Sequence, residues 1–159
     1  MLAVSLLVLE AFAFGIVFAG KPRMQHFNKE HMDQFEAEHK ATMPDSAPVV
    51  GGWPDAGEGR YAAKLSYKSW ATLNNAFRVQ VQTSETLPTY ITVFCLAGLY
   101  LPLLTLIAAY CNVVGRLIFA VMYSSKGANW RVIGSLLGNL PLYSLMLGSF
   151  VYIIVKIAE

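Results

Sequence analysis

Charged residues are scarce in this chain. They make up 14% of its 159 residues, whereas an average soluble domain carries about 25%. Apolar residues account for 55% of the sequence, and they fall in long blocks. A helix needs roughly 20 consecutive apolar residues to cross a bilayer, so these blocks exclude an ordinary soluble fold. The length accommodates one domain, which we assign to residues 1–159.

Features of several other protein classes are missing. The two cysteines, Cys95 and Cys111, lie in apolar blocks, which excludes a disulfide framework and favours packing residues over a redox pair. No basic tract occurs, so we expect no nucleic-acid partner. The glycine-rich segment 51–59 lacks the Lys-Ser/Thr ending of a phosphate-binding loop.

The sequence does not support a metal site. The candidate ligands are three histidines, His26, His31 and His39. Their spacings do not place two ligands on one helical turn, and no cysteine joins them. We therefore interpret them as solvated residues of a surface helix within residues 21–40, and we predict no metal.

Four apolar blocks predict an all-α integral membrane protein, a four-transmembrane-helix up-down bundle. The predicted helices lie at about residues 1–19, 69–101, 102–125 and 130–157, with a polar loop over residues 21–68. The first block lacks the basic start and the small-residue cleavage site of a secretory signal. We therefore expect it to be retained as a transmembrane helix.

The distribution of Lys and Arg is consistent with four spans. Seven of the twelve Lys and Arg residues lie in the loop 21–68. The turn between the third and fourth helices contributes Lys126, with Arg131 just beyond. Four spans place these two connections on the same side of the membrane. The positive-inside rule then predicts that both face the cytosol, or the matrix of a mitochondrion.

Polar side chains interrupt the apolar blocks, and in a bilayer such residues are costly. Glu10 lies near the middle of the first helix, so we expect it to face the bundle interior or a neighbouring subunit. Arg78, Gln82 and Glu85 share one face of the second helix. The third helix has a similar stripe of Asn112, Arg116, Phe119 and Tyr123.

Two explanations of these stripes remain open. In the structural one, Glu85 pairs with Arg78 or Arg116 and the stripes hold the helices together. In the functional one, they line a pocket for a charged polar ligand at the membrane edge. Arg78, Arg116 and Arg131 face one nearby carboxylate, and this excess of positive charge favours an anionic ligand with some amine character.

Two motifs point to a known family. The run FRVQVQTSE from Phe77 to Glu85 is followed shortly by Pro88. It resembles the signature helix of the MAPEG family (membrane-associated proteins in eicosanoid and glutathione metabolism), whose pattern is R-x-Q-x-N-x-x-E and then Pro. Val-Gly-Arg ending at Arg116, with Tyr123 beyond it, is similar to the family's second motif. The resemblance covers about residue 77 to the C-terminus and the position of the first helix, but not the loop.

The resemblance implies a function for particular residues. The family includes microsomal glutathione transferases and the membrane leukotriene and prostaglandin synthases, which are trimers with sites between neighbouring chains. By this resemblance glutathione is the co-substrate, and Arg131, at the family's further arginine position, is the catalytic residue that activates its thiol. The residues implied to bind glutathione are Arg78, Gln80, Gln82, Glu85, Arg116 and Tyr123.

Three positions depart from the family pattern. Gln82 stands where the family has Asn, while Thr86 and Phe119 stand where Tyr is common. Each change alters or removes a hydrogen-bonding group where glutathione would lie.

Two functions therefore remain open. The first is a glutathione-dependent transferase or peroxidase, a homotrimer in the endoplasmic reticulum or mitochondrial membrane, acting on lipophilic electrophiles or hydroperoxides. The second is a non-catalytic subunit of a larger membrane complex, for example a mitochondrial one. The departures and the long loop favour the second.

Overall fold

The computed structural model describes residues 1–158, and the regular secondary structure of that range is entirely helical. A π-helical turn, Gly15–Gly20, lies within the first helix. Short 3₁₀ turns, Ala62–Lys64 and Ala128–Trp130, precede the fourth and last helices. The helices are α1 Leu2–His26, α2 Lys29–Asp33, α3 Glu36–Thr42, α4 Tyr67–Tyr100, α5 Pro102–Lys126 and α6 Arg131–Ala158.

Local sequence sets the ends of the long helices. Ser66 caps α4, because its side-chain oxygen accepts a hydrogen bond of 3.2 Å from the backbone N–H of Ser69. Leu101 separates α4 from α5, since the residue before a proline is disfavoured in helical conformation and Pro102 is suited to a helix start. Gly127, with φ of +85°, ends α5.

Within residues 1–158, three helices are long and apolar enough to cross a membrane: α1, α5 and the segment Ala128–Ala158 that contains α6. Helix α4 has 34 residues, but its middle part carries the polar side chains from Arg78 to Glu85. It therefore falls short of the apolar content of the other three. The all-helical, membrane-spanning class is confirmed, whereas the fourth span stays a prediction.

The long helices share one buried apolar cluster. The cluster has members on α1, α4, α5 and α6: Ala3, Leu7, Tyr90, Phe94, Ala97, Ala108, Ala109, Leu142 and Leu145. On the outside of α6, large apolar side chains such as Leu140 and Phe150 are exposed. In an integral membrane protein this surface faces lipid or another subunit.

Helices α5 and α6 lie unusually close together at three glycines. A Cβ atom on Gly115 would lie 2.6 Å from the Cα of Gly138, and one on Gly134 would lie 2.6 Å from the Cα of Phe119. Asn112 adds a hydrogen bond of 3.0 Å from its side-chain N–H to the carbonyl of Gly138. Small residues allow this close backbone approach, which favours helix association in membranes.

Residues 27–66, which we call the cap, form a folded unit and not a loose linker. The predicted first helix ends near residue 19, but α1 continues to His26 and carries the chain into the cap. Phe27 and Met32 are fully buried in a cluster that includes Phe77 of α4. The single surface helix expected within residues 21–40 is instead the end of α1, then α2 and the start of α3.

Candidate functional site

A buried ion pair joins α1 to α5. The Nε atom of Arg116 lies 3.4 Å from a carboxylate oxygen of Glu10, and the two residues are 7% and 9% exposed. The guanidinium carbon of Arg116 lies 5.5 Å from the ring centre of Tyr90 and 5.8 Å from that of Phe14. Glu10 thus faces the interior, one of the two environments expected for it.

The polar atoms of this pair are incompletely satisfied. Among residues 1–158, neither Glu10 carboxylate oxygen has a hydrogen-bond partner, and neither do Nη1 and Nη2 of Arg116. A cavity of about 20 Å³ lies beside Arg116 and is also lined by Gln82, Thr86 and Asn139. Tyr90 closes this region by donating a hydrogen bond of 2.6 Å to the Asn139 side chain. The cavity is large enough for one water molecule.

A larger cavity of about 430 Å³ lies between α1, α4 and the cap. Gln80 and Glu85 of α4 line it together with Gly15 of α1 and Trp53 of the cap. Glu85 is exposed, and within the described chain its carboxylate has no hydrogen bond or ion pair. This cavity offers a free acid next to an amide side chain.

The other predicted site residues lie elsewhere. Arg131 is the first residue of α6 and lines a separate groove of about 240 Å³ with Asn139 and Tyr143. Tyr123 is buried on α5, and its ring centre lies 5.4 Å from that of Phe119. Arg78 is exposed on α4.

Within one chain, the seven predicted residues therefore do not form a single site. Gln82 meets Arg116 at the small cavity, and Gln80 meets Glu85 at the large one. The pairing of Glu85 with Arg78 or Arg116 is absent from the described structure, since Arg116 pairs with Glu10. The expected excess of positive charge is therefore reduced to Arg78 and Arg131, because Glu10 compensates Arg116.

The sequence reasoning missed two residues beside the large cavity. Arg23, near the end of α1, is buried and lines this cavity, although its position in a polar stretch suggested a solvated surface residue. Trp53 lies in the proline- and glycine-rich part of the predicted polar loop. The available signal was Asp55 followed by Gly57 and Gly59, because Asp before glycines is typical of a hydrogen-bonded turn.

The histidines make contacts within the cap. The Nε2 atom of His31 lies 2.9 Å from the carbonyl oxygen of Tyr61, and that of His39 lies 2.8 Å from the hydroxyl of Ser46. Among residues 1–158, no group of three His, Cys, Asp or Glu side chains is arranged to hold a metal ion.

Comparison with known proteins places the chain in a family. The model of the MAPEG family matches residues 1–151, a range that includes the loop for which the motifs gave no counterpart. No match was found among curated proteins or among solved structures. The family includes glutathione transferases and related enzymes. The resemblance found in the two motifs is thereby confirmed, and the chain is a member of the MAPEG family.

Proposed function

We propose that this protein is a glutathione-dependent membrane transferase or peroxidase that acts on lipophilic electrophiles or hydroperoxides. The observation that carries the proposal is the family match over residues 1–151, because members of this family generally use glutathione. The motif residues of α4, α5 and α6 support it. Glutathione has two carboxylates and one amine, a charge pattern that suits several arginines and one free carboxylate.

We assign the binding roles from side-chain chemistry. Glu85, which lacks a partner in the described chain, would hold the amine of glutathione. Gln80 and Gln82 would form hydrogen bonds with the amide groups of glutathione. Arg78 would bind a carboxylate, since guanidinium groups can do so through two parallel hydrogen bonds. Arg116 and Tyr123 complete the proposed set. Arg116 can contribute only from its Nη atoms, because its Nε already faces Glu10.

We assign Arg131 to the chemistry. A thiol with a pKa of about 8.5 must lose its proton to react, and a nearby guanidinium stabilises the thiolate. Arg131 begins α6, where the backbone N–H groups also favour an anion. In conjugation, the sulfur bonds to the electrophilic carbon and the displaced group leaves with the bonding electrons. Reduction of a hydroperoxide would consume two thiols and give an alcohol, water and a disulfide.

We further propose that neighbouring chains complete the site. In one chain Arg131 lines a different groove from Gln80 and Glu85, so one copy does not bring them together. A homotrimer in which α6 of one chain faces α4 of the next would do so. It would also cover part of the exposed apolar surface of α6. In this arrangement α4 is the fourth span, and the protein lies in the endoplasmic reticulum or mitochondrial membrane.

Glutathione binding tests the proposal in the detergent-solubilised protein. A ligand that binds only the folded state raises the unfolding temperature by an amount that increases with the logarithm of its concentration once that concentration exceeds the Kd. We expect millimolar glutathione to produce such a rise, and Glu85→Gln to reduce it. Glu58→Gln, a change of an exposed cap acid, is the matched control. No rise in the unmutated protein would refute glutathione binding.

A specific observation favours a second candidate, a non-catalytic structural subunit of a larger membrane complex. Arg116 is occupied by Glu10 within the chain, as expected if this motif position now serves helix packing. The departures at Gln82, Thr86 and Phe119 point the same way. Native size in mild detergent separates the two: a small homotrimer supports the enzyme, and co-migration with a large assembly supports the structural subunit.

A further inference from the structure

The cap segment around Trp53 is held in place by the carboxylate of Asp55. One oxygen of this buried carboxylate accepts hydrogen bonds from the N–H groups of Gly57 and Gly59, at 2.7 and 2.8 Å. The other accepts one from the N–H of Ala62 at 2.8 Å. Three such bonds fix the backbone that follows Trp53.

Arg23 and Asn74 attach this segment to the transmembrane helices. Arg23 donates hydrogen bonds of 2.7 Å to the carbonyls of Gly51 and Asp55, on either side of Trp53. Its guanidinium carbon lies 3.9 Å from the ring centre of Trp53, a cation–π contact. Asn74 of α4 donates a bond of 2.8 Å to the carbonyl of Gly57. The indole of Trp53 is therefore positioned by both α1 and α4.

In this position Trp53 lines the 430 Å³ cavity that Gln80 and Glu85 also line. Small residues of α1, including Gly15 and Ala19, also line this cavity and leave the space open. Trp53 is 61% exposed, so most of its surface is available for contact. Tryptophan is enriched among the residues that contribute most to binding, and Trp53 is held in place at the cavity that Glu85 also lines.

We infer that Trp53 is a further binding residue of the proposed glutathione site, and this inference rests on the function proposed above. The cap supplies one wall, whereas α4 supplies the polar groups that orient the ligand. An amine held at Glu85 places the rest of a short thiol peptide within the cavity, where the indole packs against it. The cap, for which the family motifs had no counterpart, thus takes part in recognition.

Fluorescence of Trp53 tests the contact without altering this residue. The chain has three tryptophans, so replacing Trp70 and Trp130 by Phe leaves Trp53 as the sole indole emitter. Titration with glutathione should then change its emission, with a midpoint that matches the Kd derived from the thermal shifts. Binding that leaves the emission unchanged contradicts the inference.

Affinity measurements on variants provide a second test of the inference. Trp53→Ala should weaken glutathione binding about tenfold, whereas Trp53→Phe should lose much less, because an aromatic ring is retained. Trp70→Ala is the matched control, since Trp70 packs on Tyr67 at the start of α4 and should leave affinity unchanged. Unmutated protein that binds no glutathione overturns both the proposed function and this inference. Unmutated protein that binds, with either equal affinity in Trp53→Ala or no emission change, overturns this inference alone.

Discussion

The pair of Glu10 and Arg116 allows a quantitative prediction. Replacing Glu10 by Gln leaves Arg116, a residue that is only 7% exposed, without a countercharge. At the separation of 3.4 Å, the attraction in a medium of effective dielectric constant about 20 is about 5 kcal/mol. Removing one partner of a buried pair typically costs about 3–5 kcal/mol. We therefore expect Glu10→Gln to lower the free energy of unfolding by about that amount.

A double-mutant cycle isolates the pairwise interaction. Glu10→Gln and Arg116→Gln should each be strongly destabilising, while the double variant should cost clearly less than their sum, because neither charge remains unpaired. We expect a coupling energy of about 2–3 kcal/mol. Glu85→Gln, at an exposed carboxylate without a partner in the described chain, is the control and should change stability by less than about 0.5 kcal/mol.

Reversible unfolding in mixed detergent micelles, followed by circular dichroism without glutathione, measures these free energies. The reasoning is refuted if the two single changes are additive. It is equally refuted if each costs less than about 1 kcal/mol, since each single change should leave an uncompensated buried charge.

Three further predictions follow from the fold and the proposed site. Gly115→Ala should destabilise the protein by about 1–3 kcal/mol because its Cβ overlaps the backbone of α6, whereas Gly148→Ala, with nothing within 4 Å, should be nearly neutral or stabilising. Residues 21–68 and 126–131 should be labelled from the same side of oriented vesicles, opposite both termini; labelling of the loop from the C-terminal side would contradict four spans. Arg131→Ala should lower kcat far more than it weakens glutathione binding, as for an interaction made mainly in the transition state; unchanged turnover would remove Arg131 from the chemistry.

The helices could be predicted because their signals are local. Long apolar blocks and the proline at residue 102 indicate where α5 and α6 lie, and the observed starts differ from the predicted ones by at most one residue. Helix α1 runs past the expected end because Pro22 does not break it. A proline ring in a helix normally clashes with the backbone carbonyl four residues earlier. For Pro22 this is the carbonyl of Phe18, which lies in a π-helical turn and not in a regular α-helix.

The site could be predicted only in part, since its contacts are long-range. Helical spacing grouped Asn112, Arg116, Phe119 and Tyr123 on one face of α5, and all four are buried. On α4, Gln82 and Glu85 were expected on one face but line different cavities, and spacing within a helix does not identify a partner on another helix. The pairing of Arg116 with Glu10 depends on how α1 packs against α5. The role of Arg23 depends on a cap whose composition resembles that of a flexible linker, although Asp55 and the glycines close it into a turn.

The most direct test of the central claim is the rate at which purified, detergent-solubilised protein conjugates glutathione to a chromophoric lipophilic electrophile. We predict a rate well above the uncatalysed reaction that saturates with glutathione, is much reduced by Arg131→Ala and is unchanged by the control Glu58→Gln. A rate equal to the uncatalysed reaction, with lipophilic hydroperoxides also left unreduced, would contradict the proposed enzyme and favour the structural subunit.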